Sequence, residues 1–95
     1  MHPVTIRFTD SSSRQIDEAL THVRERSPSG AEGTSLRLSE ILDLRASQPK
    51  AGQRTNRPST RRLVLTPYQY IIFYRLHGNE VIITRFIHAA RRPRG

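Results

Sequence analysis

Cysteine is absent from the 95 residues, and a single lysine, Lys50, accompanies 15 arginines. Without cysteine there is no disulfide framework and no thiolate chemistry, which excludes a small stapled secreted scaffold. The five glycines are scattered, so no cluster precedes a helix as a phosphate loop requires. No run approaches the roughly 20 apolar residues of a membrane span. The opening MHPVTIRFTD has no basic-then-apolar leader, so a cytoplasmic location is expected. The length corresponds to one domain, residues 1–95, with one modest core and no deep cofactor cavity; no cofactor is implied.

Acids are also scarce, and unevenly so. Residues 1–43 hold five arginines and seven acids. Residues 44–95 hold eleven basic residues and one acid, Glu80, which puts the whole +8 charge and more in the second half. Arginine rather than lysine suits bidentate contact with phosphate or carboxylate. The partner is expected to be anionic: nucleic acid, a nucleoprotein or an acidic protein segment.

The sequence is organised around Arg61 to Pro93. Leu63 to Leu65, Tyr68 to Leu76 and Glu80 to Ile87 read as three consecutive strands. Thr66-Pro67 supplies the first turn and Gly78-Asn79 a tight hairpin turn. In the middle strand Tyr70, Ile72, Tyr74 and Leu76 alternate with Ile71 and Phe73, which predicts an interior strand covered on both faces. A short basic tail follows, His88-Ala89-Ala90-Arg91-Arg92-Pro93-Arg94.

Upstream, Val4, Ile6 and Phe8 alternate with polar residues, predicting a strand with one buried face. Ser12 and Gln15 have the spacing of a capping box, and Ile16, Ala19, Leu20 and Val23 form one helical stripe. Ser27-Pro28 breaks that helix. Ser29 and Glu32 repeat the capping-box pattern, and Ala31, Thr34, Leu38, Ile41 and Leu42 form a second stripe. Gly33 weakens its first turn by about 1 kcal/mol relative to alanine. The two helices form a hairpin whose apolar face needs the sheet. Arg45 to Thr60 lacks apolar periodicity and reads as a loop. The fold class is therefore α+β: an N-terminal strand, a two-helix hairpin and a three-stranded antiparallel meander, with the helices on one face.

Few patterns carry chemistry. His2, His22, His77 and His88 lack metal-ligand spacing, so no metal is expected. The serines have no nucleophile elbow and the acids lie on exposed helix faces. Metal-free RNA cleavage is the one enzymatic option: it needs a base, an acid and cations for the phosphorane charge, and His88, Arg75 and Arg85 are the candidate set for these roles taken together. Simple alternation puts Arg85 on the opposite face from His88. Arg91 and Arg92 directly follow a buried strand. Of Arg61 and Arg62, which open the meander, one is expected to face solvent and the other to form an ion pair.

This order of elements resembles the ParE/RelE superfamily of toxins from bacterial toxin–antitoxin operons. The resemblance covers nearly the whole chain. It rests on Ser27-Pro28 with Ala31, Pro49 with Gly52, Arg62-Leu63, Tyr68 with Tyr70 and Tyr74, and above all His88-x-x-Arg91-x-Pro93. The sequence departs at Ser12 and Ser13, where the family often has a small apolar residue, and at Thr60 or Arg61, where it has a glycine. RelE-like members cut mRNA on the ribosome. Many carry an arginine after the aromatic that opens the central strand and a tyrosine beyond the last strand. Here Ile71 follows Tyr70 and no aromatic follows Phe86. The resemblance thus implies the ParE-like branch: inhibition of DNA gyrase without catalysis, and neutralisation by a small ParD-like antitoxin with an acidic C-terminal segment. It implicates the C-terminal end in toxicity; Arg91, Arg92, Arg61 and Arg62 are the candidate target contacts. Leu36 and Leu44, outside the main stripe of the second helix, are candidate antitoxin contacts. The alternatives are a RelE-like ribosome-dependent nuclease and a non-toxic relative that only binds an antitoxin.

Overall fold

The computed structural model describes residues 5–48, 52–57 and 59–89. Two helices, α1 (Asp10–Arg26) and α2 (Pro28–Ser47), lie between an N-terminal strand, β1 (Thr5–Phe8), and four further strands. These are β2 (Gln53–Arg54), β3 (Thr60–Val64), β4 (Tyr70–His77) and β5 (Glu80–His88). The five strands form one sheet in the order β1-β5-β4-β3-β2. The meander is antiparallel as expected, but β1 pairs parallel to β5, with Ile6 opposite Val81 and Phe8 opposite Ile83. The sheet is therefore mixed, the chain crossing over through the helical hairpin. The segment expected to be an irregular loop contributes both the end of α2 and the short strand β2.

One face of the sheet carries the core. Ile72 and Tyr74 of β4 and Val81, Ile83 and Phe86 of β5 are buried against Ile16 of α1 and Leu38 and Ile41 of α2. These helical residues are those of the two apolar stripes. Phe8 departs from its pattern: in the edge strand β1 it remains 42% exposed. Val4 lies outside the described residues.

The helix termini correct both expected capping boxes. Thr9, not Ser12, caps α1, its Oγ1 accepting from the Ser12 N–H at 3.1 Å. Ser12 is fully buried and its Oγ donates to the Ile83 carbonyl at 2.8 Å. Gln15 turns to the sheet and its Oε1 accepts from the Phe86 N–H at 2.8 Å. Gln15 satisfies a β5 N–H beyond the end of β1 that burial would otherwise leave unpaired, while Ser12 adds a second donor to the Ile83 carbonyl, which already accepts from the Thr9 N–H at 3.0 Å. A small side chain is needed there, which serine supplies. Ser27 serves both helices: its N–H donates to the Val23 carbonyl and its Oγ accepts from the Gly30 N–H at 3.1 Å. Pro28 follows at the first helical position, where its missing N–H costs nothing. Ser29 and Glu32 therefore make no cap.

Gly33 proves to be a packing position. A Cβ there would collide with the Tyr68 hydroxyl, so the glycine that weakens helix propensity lets α2 approach the β3–β4 turn. Tyr68 itself precedes β4, which begins at Tyr70. The Gly78-Asn79 turn closes the β4–β5 hairpin between His77 and Glu80. Among the described residues only Gly78 has positive φ, +56°, which suits glycine at the first central position of a two-residue loop.

Candidate functional site: the two faces of the sheet

Because side chains alternate along a strand, the faces are assigned by register. On β4, Tyr70, Ile72, Tyr74 and Leu76 face the helices, leaving Ile71, Phe73, Arg75 and His77 on the second face. On β3, Arg61 and Leu63 stand opposite Tyr74 and Ile72, whereas Thr60, Arg62 and Val64 stand opposite Arg75, Phe73 and Ile71. On β5 the register slips between Phe73 and Tyr74: Phe73 pairs with Arg85 and Tyr74 with Ile83, so Thr84 is an extra, bulged residue. Ile82, Arg85 and Ile87 share the second face with Phe73.

No described helix covers that second face. The interior strand is thus covered by helices on one side only, contrary to its alternating apolar pattern. Ile71 is nonetheless buried, and Phe73, Ile82 and Ile87 are half-buried. Arg75 and Arg85 are exposed beside them, with the Arg85 Cζ 5.7 Å from the centroid of the Phe73 ring. Glu80 is engaged by Arg7, whose Nη1 lies 3.0 Å from Oε2.

His88 is on the other side. It pairs across from Tyr70, meets that ring edge-on at 5.4 Å, and half-buries next to the Tyr70–Phe86 stack at 4.8 Å. The sheet backbone separates it from Arg75 and Arg85. The structure brings the two arginines to one face and does not bring His88 to them, as alternation predicts for Arg85.

The paired arginines of β3 also diverge. Arg62 faces the second face and its Nε donates to Gln53 Oε1 at 3.0 Å. Arg61 is half-buried on the helix side, its Nη1 donating to the Gly52 carbonyl at 3.0 Å. Gly52 is held from both ends, since its N–H donates to the Tyr74 hydroxyl at 2.9 Å. A Cβ at Gly52 would collide with that hydroxyl. Tyr74 is fully buried, so this clamp joins the sheet interior to the start of the basic segment and carries Arg54 and Arg57 out as exposed cations. Gly52 and Tyr74 stand out in the sequence only as separate motif residues; nothing there joins them into a clamp.

Leu36 and Leu44 of α2 are 63% and 48% exposed, as expected of residues off the stripe. Arg91 and Arg92 lie outside the described residues. Among the described residues no group of three histidines or carboxylates could hold a metal ion, and no helix is long and apolar enough to cross a membrane.

A helical hairpin laid on one face of a mixed five-stranded sheet is a fold shared with solved structures. It superposes on a chain of the chromosomal ParDE toxin–antitoxin system from P. aeruginosa with a TM-score of 0.78, at 20% identity, covering 93% of this chain and 98% of that one. It superposes on the isolated E. coli RelE toxin with a TM-score of 0.67, at 16% identity, covering 94% and 87%. A Sinorhizobium fredii protein named "Putative toxin Y4kP" is 33% identical over 79 residues, which span 83% of this chain and 82% of the relative. The family model described as the ParE toxin of the type II toxin-antitoxin system, parDE, matches residues 6–93, and the chain belongs to that family.

Proposed function

We propose that this toxin acts on DNA gyrase by obstruction, not by catalysis, and that a small antitoxin with an acidic segment neutralises it. One observation carries the choice against RNA cleavage: His88 lies on the helix-covered face and Arg75 and Arg85 on the other. General acid–base cleavage needs its groups within hydrogen-bond reach of one substrate, about 3 Å or one water away. Ile71, where many nucleases of the superfamily have arginine, is buried in an apolar row and supports the same reading. Target contact falls to Arg62 and to Arg91 and Arg92, while Arg61 acts through its hold on Gly52. Leu36 and Leu44 offer the apolar patch on which the antitoxin lays an amphipathic segment.

A supercoiling assay with purified gyrase tests the reading. Inhibited supercoiling with accumulated cleaved DNA complex is expected. Unimpaired gyrase, together with mRNA cuts at the ribosomal A site on induction, would replace it with the nuclease reading. Unimpaired gyrase with unchanged colony counts would leave a protein that only binds its antitoxin.

A further inference from the structure

No acid occurs between Asp43 and Glu80, and the β2–β3 hairpin lies inside that interval with Arg54, Arg57, Arg61 and Arg62. Arg54 pairs directly across from Arg61, an arrangement of like charges that destabilises a strand pair on its own. Local bonds hold the hairpin nonetheless. At its base Gly52 is fixed by Tyr74 and Arg61, and Arg62 Nε donates to Gln53 Oε1. At its tip Thr55 Oγ1 donates to the Thr60 carbonyl at 2.9 Å and accepts from the Arg57 N–H at 3.2 Å. The Thr60 N–H donates to the Arg57 carbonyl at 3.1 Å, and the Leu76 N–H of β4 donates to the Ser59 carbonyl at 3.4 Å. Arg61 and Arg62 thus serve the frame. Arg54 and Arg57 do not: both are exposed, and neither forms an ion pair with a described acid.

Gathered like charge is a cost to the isolated fold and a gain on meeting a polyanion, and a frame already ordered loses little freedom on binding. The chemistry of the hairpin narrows the polyanion. Residues 53–57 and 59–62 carry guanidinium, amide and hydroxyl groups and no apolar side chain. A docked peptide needs a pocket for its apolar anchors, and a single strand needs aromatic rings on which its bases stack; these residues supply neither. Arginine with serine, threonine, asparagine and glutamine is instead the set of side chains that contacts phosphate and sugar in a duplex. A two-stranded ribbon, its backbones about 4.8 Å apart, is also narrow enough to follow a major groove about 12 Å wide. We propose that the β2–β3 hairpin binds the phosphate backbone of duplex DNA, with Arg54 and Arg57 as the phosphate contacts. Its part in toxicity rests on the gyrase reading above: the hairpin grips the duplex that gyrase has cut.

The test is a fluorescence anisotropy titration of the full chain against a labelled DNA duplex of mixed sequence, repeated across a salt series without gyrase. Binding should weaken as salt rises, because each neutralised phosphate releases counterions. Arg54→Gln with Arg57→Gln should weaken binding about tenfold or more at low salt and reduce the slope of log K against log salt by about two. Arg54→Lys with Arg57→Lys should restore the slope. Arg24→Gln with Arg26→Gln removes the same charge from exposed positions of α1; it should leave the slope unchanged and the affinity within about twofold. Equal losses from both glutamine pairs would reduce the interaction to net charge and overturn the proposal, as would absence of duplex binding at low salt. So would tighter, hairpin-dependent binding of an oligothymidine, of the same sequence as duplex RNA, or of a polyglutamate peptide. These would assign the hairpin to a single strand, to RNA or to a protein. Should the glutamine pair misfold by circular dichroism, Arg57→Gln alone replaces it, with a slope reduced by about one. Failure of this titration leaves the supercoiling assay to decide the gyrase reading, and failure of that assay leaves duplex binding to be read directly.

Discussion

The two faces of the sheet are built from the same strands, residue by alternate residue, yet they do different work. Toward the helices stand Ile72, Tyr74, Val81, Ile83 and Phe86, all nearly solvent-free. Toward solvent stand Arg62, Phe73, Arg75 and Arg85. The first set holds the molecule together; removing any member leaves a void in a dense interior. The second set is far less constrained by packing and is available to a partner. Substitution can therefore alter one face without unfolding the other.

Substitutions that cross this boundary sharpen the contrast. Ile83→Ala should cost the most, about 2–5 kcal/mol in chemical denaturation, because a buried side chain leaves a cavity under α1. Arg75→Ala, on the same sheet but the other face, should stay within about 0.5 kcal/mol. A comparable loss at Arg75 would mean that the bare face is structural after all. Gly33→Ala comes next: against its helix propensity it should destabilise by about 1–3 kcal/mol through the Tyr68 hydroxyl. Most of that loss should disappear in a Tyr68→Phe background, and an additive double mutant would show that the hydroxyl is not the obstacle. Tyr74→Phe should cost about 1–2 kcal/mol, because the buried Gly52 N–H loses its acceptor. It should also speed hydrogen exchange at Gly52, an outcome that packing loss elsewhere would not give. Arg91→Ala with Arg92→Ala should have the smallest effect on stability, leaving the circular dichroism spectrum unchanged while weakening target action. An unfolded double mutant would assign the pair to structure instead.

Much of the covered face was legible in advance. The two helical stripes lead from Ile16 to Ile41, and the alternation of β4 separates Tyr74 from Arg75. That same alternation predicts the separation of His88 from Arg85 across the sheet. The capping boxes misled because their spacing is a local signal. Ser12 and Gln15 were drawn instead to backbone groups of β5, about 70 positions along the chain. The fates of Arg61 and Arg62 were equally hidden: adjacent in sequence, they reach Gly52 and Gln53 from opposite faces. Gly33 looked like a flaw because propensity counts backbone entropy and not the tyrosine that approaches from the following turn.

By itself, then, the chain determined its helices, its meander and the gathering of positive charge in its second half, because periodicity and composition are properties of neighbouring residues. Only the tertiary structure decided that β1 runs parallel to β5, that Thr84 bulges, and that the helices leave one face of the sheet bare. Those outcomes follow from pairing and packing between distant segments, where satisfying a buried backbone group outweighs a local preference.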